Sequence, residues 1–261
     1  MKKQTFFQLF FTLFTLFTLG FYQTTNAQIS IGVRGGMLIN NMDLDFFDLG
    51  ADFDEENVLG AQFAVPIEIA IGDMFAIQPE IMYGSHGHRL TYSETFEELG
   101  ITYTSDQKIT FNINALEIPV LGKVKFGSGK LKFNILAGPS FGFGMNGEVK
   151  VKYAYTAEDA NGDIIEEDSD SESLDGKFVK NDYDEDDLDD DEFPLSKTNL
   201  NLHFGGGIAY DLGKASIFFD ARYILGLNDH FPDVEDADSD EKVTGKSRRI
   251  GLGLGVMFPL N

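Results

Sequence analysis

Apolar and polar residues alternate with period two along most of the chain after residue 28, the spacing of strands with two unlike faces. Residues 29–39 set Ile29, Ile31, Val33, Met37 and Ile39 against Ser30, Gly32, Arg34 and Gly36. The pattern returns at 59–71, 75–84, 108–126, 131–144, 200–210, 215–225 and, most regularly, 250–258. In 108–126 the phase slips: Ile109, Phe111 and Ile113 share one parity, and Leu116, Ile118, Val120, Val124 and Phe126 the other. A β-bulge near Ala115 would reconcile the two halves. Eight strands are therefore expected. Their apolar faces are about ten residues long, which suits a tilted strand crossing an outer membrane.

The connections sort into two kinds. Three are tight, at Gly72-Asp73, Gly127 to Lys130 and Asp211 to Lys214. Four are long, at 40–57, 85–107, 146–198 and 228–247, and the two kinds alternate along the chain. In a meander this puts every short turn at one end and every long loop at the other. The expected fold is all-β: an eight-stranded antiparallel up-and-down transmembrane β-barrel with short periplasmic turns and long acidic extracellular loops. Outward aromatics fall at two levels, with Tyr83, Phe141, Phe143 and Tyr223 at the outer level. Phe75, Phe126, Tyr210 and Phe258 fall at the inner one, giving the two girdles of a membrane barrel.

The first 27 residues are different. Lys2 and Lys3 precede an apolar run from Phe6 to Tyr22, and Thr25-Asn26-Ala27 supplies the small residues a signal peptidase reads. We expect a cleaved signal peptide over 1–27 and a barrel domain over 28–261. No later apolar stretch reaches the ~20 residues of a membrane-spanning helix.

Charge follows the loops. The 261 residues carry a formal charge of -23, and 37 of the 43 Asp and Glu lie in the four long connections. So dense a run of like charge repels itself, and 155–195 is expected to be mostly disordered. An acidic surface excludes nucleic acid as a partner. The absence of Cys excludes a disulfide, a thiolate zinc site, a catalytic thiol and a lipoprotein anchor.

Several short motifs, in order, carry a family likeness: Asn26-Ala27-Gln28, Ile31 to Gly36, Glu117-Ile118-Pro119-Val120, Ala137-Gly138-Pro139, and Gly251 to Val256 before Phe258. In these the chain resembles the PorT-like outer-membrane β-barrel proteins of the porin family. The resemblance implies an eight-stranded barrel in the cell outer membrane, and it brings no shared reaction or ligand.

An eight-stranded barrel has room for its own side chains and little else. The lumen parity supplies Arg34, Glu68, Glu80, Glu117, Lys123, Lys125, Lys132, His203, Asp220, Arg222 and Arg249. Acids and bases in similar number suit a salt-bridge plug; a narrow channel or transporter is the alternative. Phe218 beside inward Gly205, Gly207, Gly251 and Gly253 reads as packing. The Gly251 to Gly255 run lacks the helix a phosphate loop needs. His86, His88 and His230 sit at the outer mouth, where imidazoles could bind a transition metal or serve a membrane-embedded hydrolase or lipid-modifying enzyme. Asp236, Asp238 and Asp240, and likewise Asp159, Asn161 and Asp163, space oxygens two apart as calcium loops do, so weak Ca2+ binding is the cation chemistry available. Otherwise no cofactor is expected. The reading is a non-enzymatic outer-membrane barrel acting through its extracellular loops in envelope integrity, adhesion or docking. Its partners would be outer-membrane lipid and another envelope or secretion protein. A soluble lipocalin-like barrel is disfavoured, because its apolar faces would have to turn inward.

Overall fold

A computed structural model describes residues 28–45, 53–179, 188–189, 191–230 and 244–260. Among these residues every regular element is a strand: β1 (Ile29–Asp45), β2 (Asp54–Ile71), β3 (Phe75–Glu98), β4 (Ile101–Phe126), β5 (Leu131–Glu158), β6 (Ile164–Val179), β7 (Glu192–Ser196), β8 (Thr198–Asp211), β9 (Ser216–Gly226) and β10 (Thr244–Pro259). Eight of them close a ring in the order β1-β2-β3-β4-β5-β8-β9-β10, each antiparallel to its neighbours, with β10 returning to β1. Closure leaves no strand edge facing lipid, which hydrocarbon would not tolerate. Around the ring the outward positions are apolar. Phe63, Ile135, Phe141 and Leu254 are each more than half exposed, and the eight girdle aromatics all face out.

The strands run well past the membrane. Where the sequence suggests a loop at 85–107, β3 and β4 stay paired from His88 opposite Phe111 to Glu98 opposite Ile101. The hairpin turns on Leu99 and Gly100, with φ of 54° and 77°, the left-handed pair that a two-residue hairpin turn demands. Much of the stretch 155–195, expected to be mostly disordered, is strand: β5 continues to Glu158, and β6 and β7 follow, while 180–187 and 190 lie outside the described residues. Acidic side chains tolerate a strand here because they project into water from both faces, as the exposed run at 164–173 makes plain.

The change of partner occurs at one level. β5 pairs with β8 from Leu131 to Phe143, and with β6 from Gly147 to Glu158. Above that level the ring opens into a sheet of β2-β3-β4-β5-β6-β7, β7 lying parallel on β6.

The phase slip near Ala115 has a different cause from the one the sequence suggests. A bulge is present opposite Ala115, but the extra residue is Met145 on β5: Ala115 pairs with Gly144, and Asn114 with Asn146. β4 itself keeps one parity throughout, so Phe111, Ile113, Ala115 and Glu117 all point inward. The polarity inverts, because lipid outside gives way to water outside. Apolar residues turn out below this level and in above it. On β5 the bulge makes the switch, since Phe141 and Phe143 face lipid while Val149, of the same parity, is buried.

The inverted upper part has its own apolar core of Leu90, Phe111, Ile113, Val149 and Leu195, with Phe53, Ile109, Val151, Leu174, Phe178 and Phe193 against it. Leu195 of β7 rests on Gly147 and Gly176, which face each other across β5 and β6; a Cβ at either would lie within 2.6 Å of its Cδ1. This clasp holds β6 and β7 to the barrel. Replacing Leu195 with Ala is expected to weaken the clasp by about 2–5 kcal/mol, the usual range for a buried Leu. Limited surface proteolysis should then cut β6 and β7 faster, while the heat-modifiable migration of the barrel in detergent gels stays as in the parent protein.

Candidate functional site

The lumen is filled in three tiers, each set by inward positions on neighbouring strands. At the periplasmic end Glu68 accepts from Lys123 at 2.8 Å and Lys125 at 2.7 Å, and Gln78 also accepts from Lys123 at 2.9 Å. Below them a cavity of about 290 Å³ opens between Glu68, Lys125, Lys132 and Asp211. Lys132, expected in the charge network, instead sits exposed and donates to the Gly127 carbonyl at 3.2 Å.

The middle tier is neutral and buried. Arg222 grips Glu80 with two bonds of 2.8 Å and reaches Asp220 at 3.0 Å. Arg34 lies 2.8 Å from the same Asp220 and donates to Gln62 at 2.9 Å. Two guanidiniums thus meet two carboxylates, with both arginine side chains fully buried. The arginines fit because the facing positions are glycine. A Cβ on Gly253 would lie 2.2 Å from the Arg34 Nε. Phe218 is accommodated likewise, but opposite Gly255 instead of Gly251 or Gly253.

The upper tier centres on Glu117, which accepts from Arg249 at 2.6 Å and lies 3.2 Å from the His86 Nε2. Ser140 donates to it at 3.3 Å, and the His203 Nε2 lies 3.6 Å away. Serine, histidine and carboxylate together suggest a hydrolytic triad, but the geometry opposes it. The Ser140 Oγ is 2.9 Å from the His203 Nε2, the same nitrogen that approaches Glu117, whereas a triad needs the acid on the other one. All three side chains are buried.

The outer-mouth histidines do not form one wet site. His86 belongs to the Glu117 tier, His88 is buried with neither ring nitrogen bonded, and His230 is buried, its backbone bonded to Ser196 and Gly245. Asp159, Asn161 and Asp163 make the β5–β6 turn. The Asp159 carboxylate takes the Asn161 amide at 2.8 Å and the Asp163 amide at 3.0 Å, so a turn accounts for their spacing. Asp236, Asp238 and Asp240 lie outside the described residues, among which no group of three or more His, Asp or Glu is placed to hold a metal ion. Gln62, Gln78, Ser140 and Asn201 join the lumen network although no charge flags them; inward parity beside a charged neighbour is their signal.

Above the barrel the two faces of the sheet differ. Residues directly opposed across strands share a face. On the face continuous with the lumen, Phe96 stacks on Tyr103 at 4.9 Å and Tyr103 on Tyr155 at 6.2 Å. Tyr153 and Tyr155 stand opposite Asp170 and Asp168 of β6, with Glu166 and Glu172 continuing the acidic row.

Two outcomes are expected. Glu80→Ala leaves Arg222 to share Asp220 with Arg34, one buried positive charge in excess, and should cost about 3–5 kcal/mol, read as a lower temperature for conversion of the heat-modifiable band. The double replacement Glu80→Ala with Arg222→Leu should recover most of that loss. The Asp159 carboxyl is held below the usual aspartate range by the Asp163 and then the Asn161 amide. Its contribution to the turn is therefore complete above the usual aspartate pKa and lost as the pH falls through the lowered value. The amide resonances of Asn161 and Asp163 should titrate together below the usual range, and Asp159→Ala should abolish that titration.

No curated protein matches the chain in sequence. Among solved structures, Ail, the attachment invasion locus protein of Yersinia pestis, aligns at 13% identity over 90% of this chain and 100% of its own, with a TM-score of 0.32. Neisserial surface protein A aligns at 11% identity over 87% and 96%, with a TM-score of 0.35. The N-terminal β-barrel domain of Pseudomonas aeruginosa OprF aligns at 11% identity over 89% and 100%, with a TM-score of 0.30. The profile of the family described as outer membrane protein beta-barrel domain matches residues 21–232, most of the length. With that match and a closed, lipid-facing ring, the chain belongs to the outer membrane β-barrel domain family.

Proposed function

We propose that this protein is a plugged, non-enzymatic barrel of the PorT-like kind, anchored in outer-membrane lipid and acting through the sheet it raises outside the cell. The observation that carries this reading is the middle tier. Arg34, Glu80, Asp220 and Arg222 are all nearly inaccessible and bonded to one another, so a solute crossing the lumen would have to break buried ion pairs costing several kcal/mol each. The hydrolase alternative has no support from the Glu117 tier, where serine and acid converge on one imidazole nitrogen. What reaches solvent is the upper sheet, and its acidic strands suit docking to another envelope or secretion protein and do not suit nucleic acid. A signal peptide cleaved before Gln28 agrees with β1 beginning at Ile29.

Purified protein in planar bilayers is expected to give no unitary conductance, and fractionation should recover it from the outer membrane starting at Gln28. Protease added to intact cells should cut within the 159–163 turn and leave a protected barrel fragment. Regular conductance steps that Glu80→Ala enlarges would sink the plugged reading in favour of a channel.

A further inference from the structure

Among the described residues β6 is an edge strand over most of its length. Its inner edge is paired with β5 from Ile164 to Gly176, while its outer edge meets β7 only from Asp175 onward. Among the described residues the outer edge of 164–174 has no strand beside it. Proteins seldom leave such an edge bare, since its free amides and carbonyls invite another strand. Here two of the amides are covered by the side chains that precede them. The Ser169 N–H donates to the Asp168 Oδ1 at 2.9 Å, and the Ser171 N–H to the Asp170 Oδ1 at 2.7 Å. Alternate amides of an edge strand point away from its partner, and the outward direction of the odd-numbered ones is fixed by the Asp175 N–H, which donates to Asp191 on the β7 side at 2.9 Å. The side chains of Asp168 and Asp170 thus stand where an incoming strand would place its carbonyls.

We propose that the outer edge of β6 is a strand-addition site for a basic, extended segment of a partner protein, with Asp168 and Asp170 as its removable covers. The inference rests on the reading that the protein works through its extracellular sheet, and it names the docking edge and the chemistry of the partner. Charge complementarity selects that partner. Glu166, Asp168, Asp170 and Glu172 lie on one face at every second residue, the repeat at which an added strand presents its own side chains. Tyr153 and Tyr155 lie beside this row, offering ring faces to a guanidinium or ammonium group. A second copy of the same edge is rejected, because it would set carboxylate against carboxylate. A strand bearing Lys or Arg at alternate positions releases the two aspartates from the amides, takes up their charge, and supplies main-chain carbonyls in their place.

The test uses the full mature protein in detergent micelles and three labelled peptides: one alternating Lys and Thr, one alternating Glu and Thr, and one with the lysines of the first but with prolines that prevent strand pairing. The Lys-Thr peptide is expected to bind at least about tenfold more tightly than either of the others. Ser169→Pro with Ser171→Pro removes two outward amides without touching the bonds to β5, a substitution that an edge strand accepts. This variant should keep its heat-modifiable migration and lose about tenfold in affinity for the Lys-Thr peptide. Asp168→Asn with Asp170→Asn keeps the covers but removes their charge, so the preference for Lys over Glu should narrow. Equal binding of the two lysine peptides, or undiminished binding to the proline variant, would make the site a charged surface only and overturn strand addition. No binding of the Lys-Thr peptide would also overturn it, while the bilayer and surface-protease results decide the broader reading separately.

Discussion

A strand that passes from lipid into water changes its outer solvent partway along, and the rest of this structure answers to that change. In hydrocarbon the outward side chains must be apolar and the inward ones are free to be polar; above the membrane the opposite holds. Five of the eight ring strands end at the boundary or run a little beyond it. β3, β4 and β5 continue far past it, and they invert. β4 does so by composition alone, placing Glu117 and Phe111 on one parity at two heights. β5 needs the extra residue Met145, because its apolar residues keep the same parity from Phe141 to Val151 and must be turned from lipid to core.

The interior that results is two interiors stacked. The lower one is ionic and is made possible by absence: glycines at 205, 253 and 255 leave the space into which Arg222, Arg34 and Phe218 fold. Arginine is suited to this role, since its planar fork meets two oxygens of Glu80 at once and keeps its charge when buried. Each carboxylate of the middle tier finds a guanidinium, although the Arg222 Nε makes no hydrogen bond, and breaking either pair would leave a charge buried without its partner. The upper interior is an ordinary apolar core, closed by β7 and seated on a second pair of small residues, Gly147 and Gly176.

Much of the barrel was legible from alternation. The parity of Arg34, Glu80, Glu117, Asp220, Arg222 and Arg249 placed all six in the lumen, because period two leaves only two directions. Their pairings were not legible, since which acid meets which base depends on ring order and register, both non-local. The upper sheet was misread for a physical reason. Composition near 166–173 is that of a disordered segment, yet an edge strand hydrogen-bonded along one side holds such residues with no burial of their side chains at all. The slip near Ala115 was visible, but parity cannot distinguish a bulge from a change of surrounding solvent; only the partner strand shows that the extra residue is Met145.

The continuity of β5 has a mechanical meaning. Its 28 residues run unbroken from a periplasmic turn to the far end of the sheet, a length of roughly 90 Å. β4 is bonded alongside it for nearly the whole distance. A pull on the outer hairpin is therefore carried along the strand axis, loading the hydrogen bonds between β4 and β5 together in shear. Loaded that way they resist jointly, whereas a loop-mounted element would peel away one bond at a time. Whatever the cell surface holds by this hairpin, it holds by the backbone of the barrel itself.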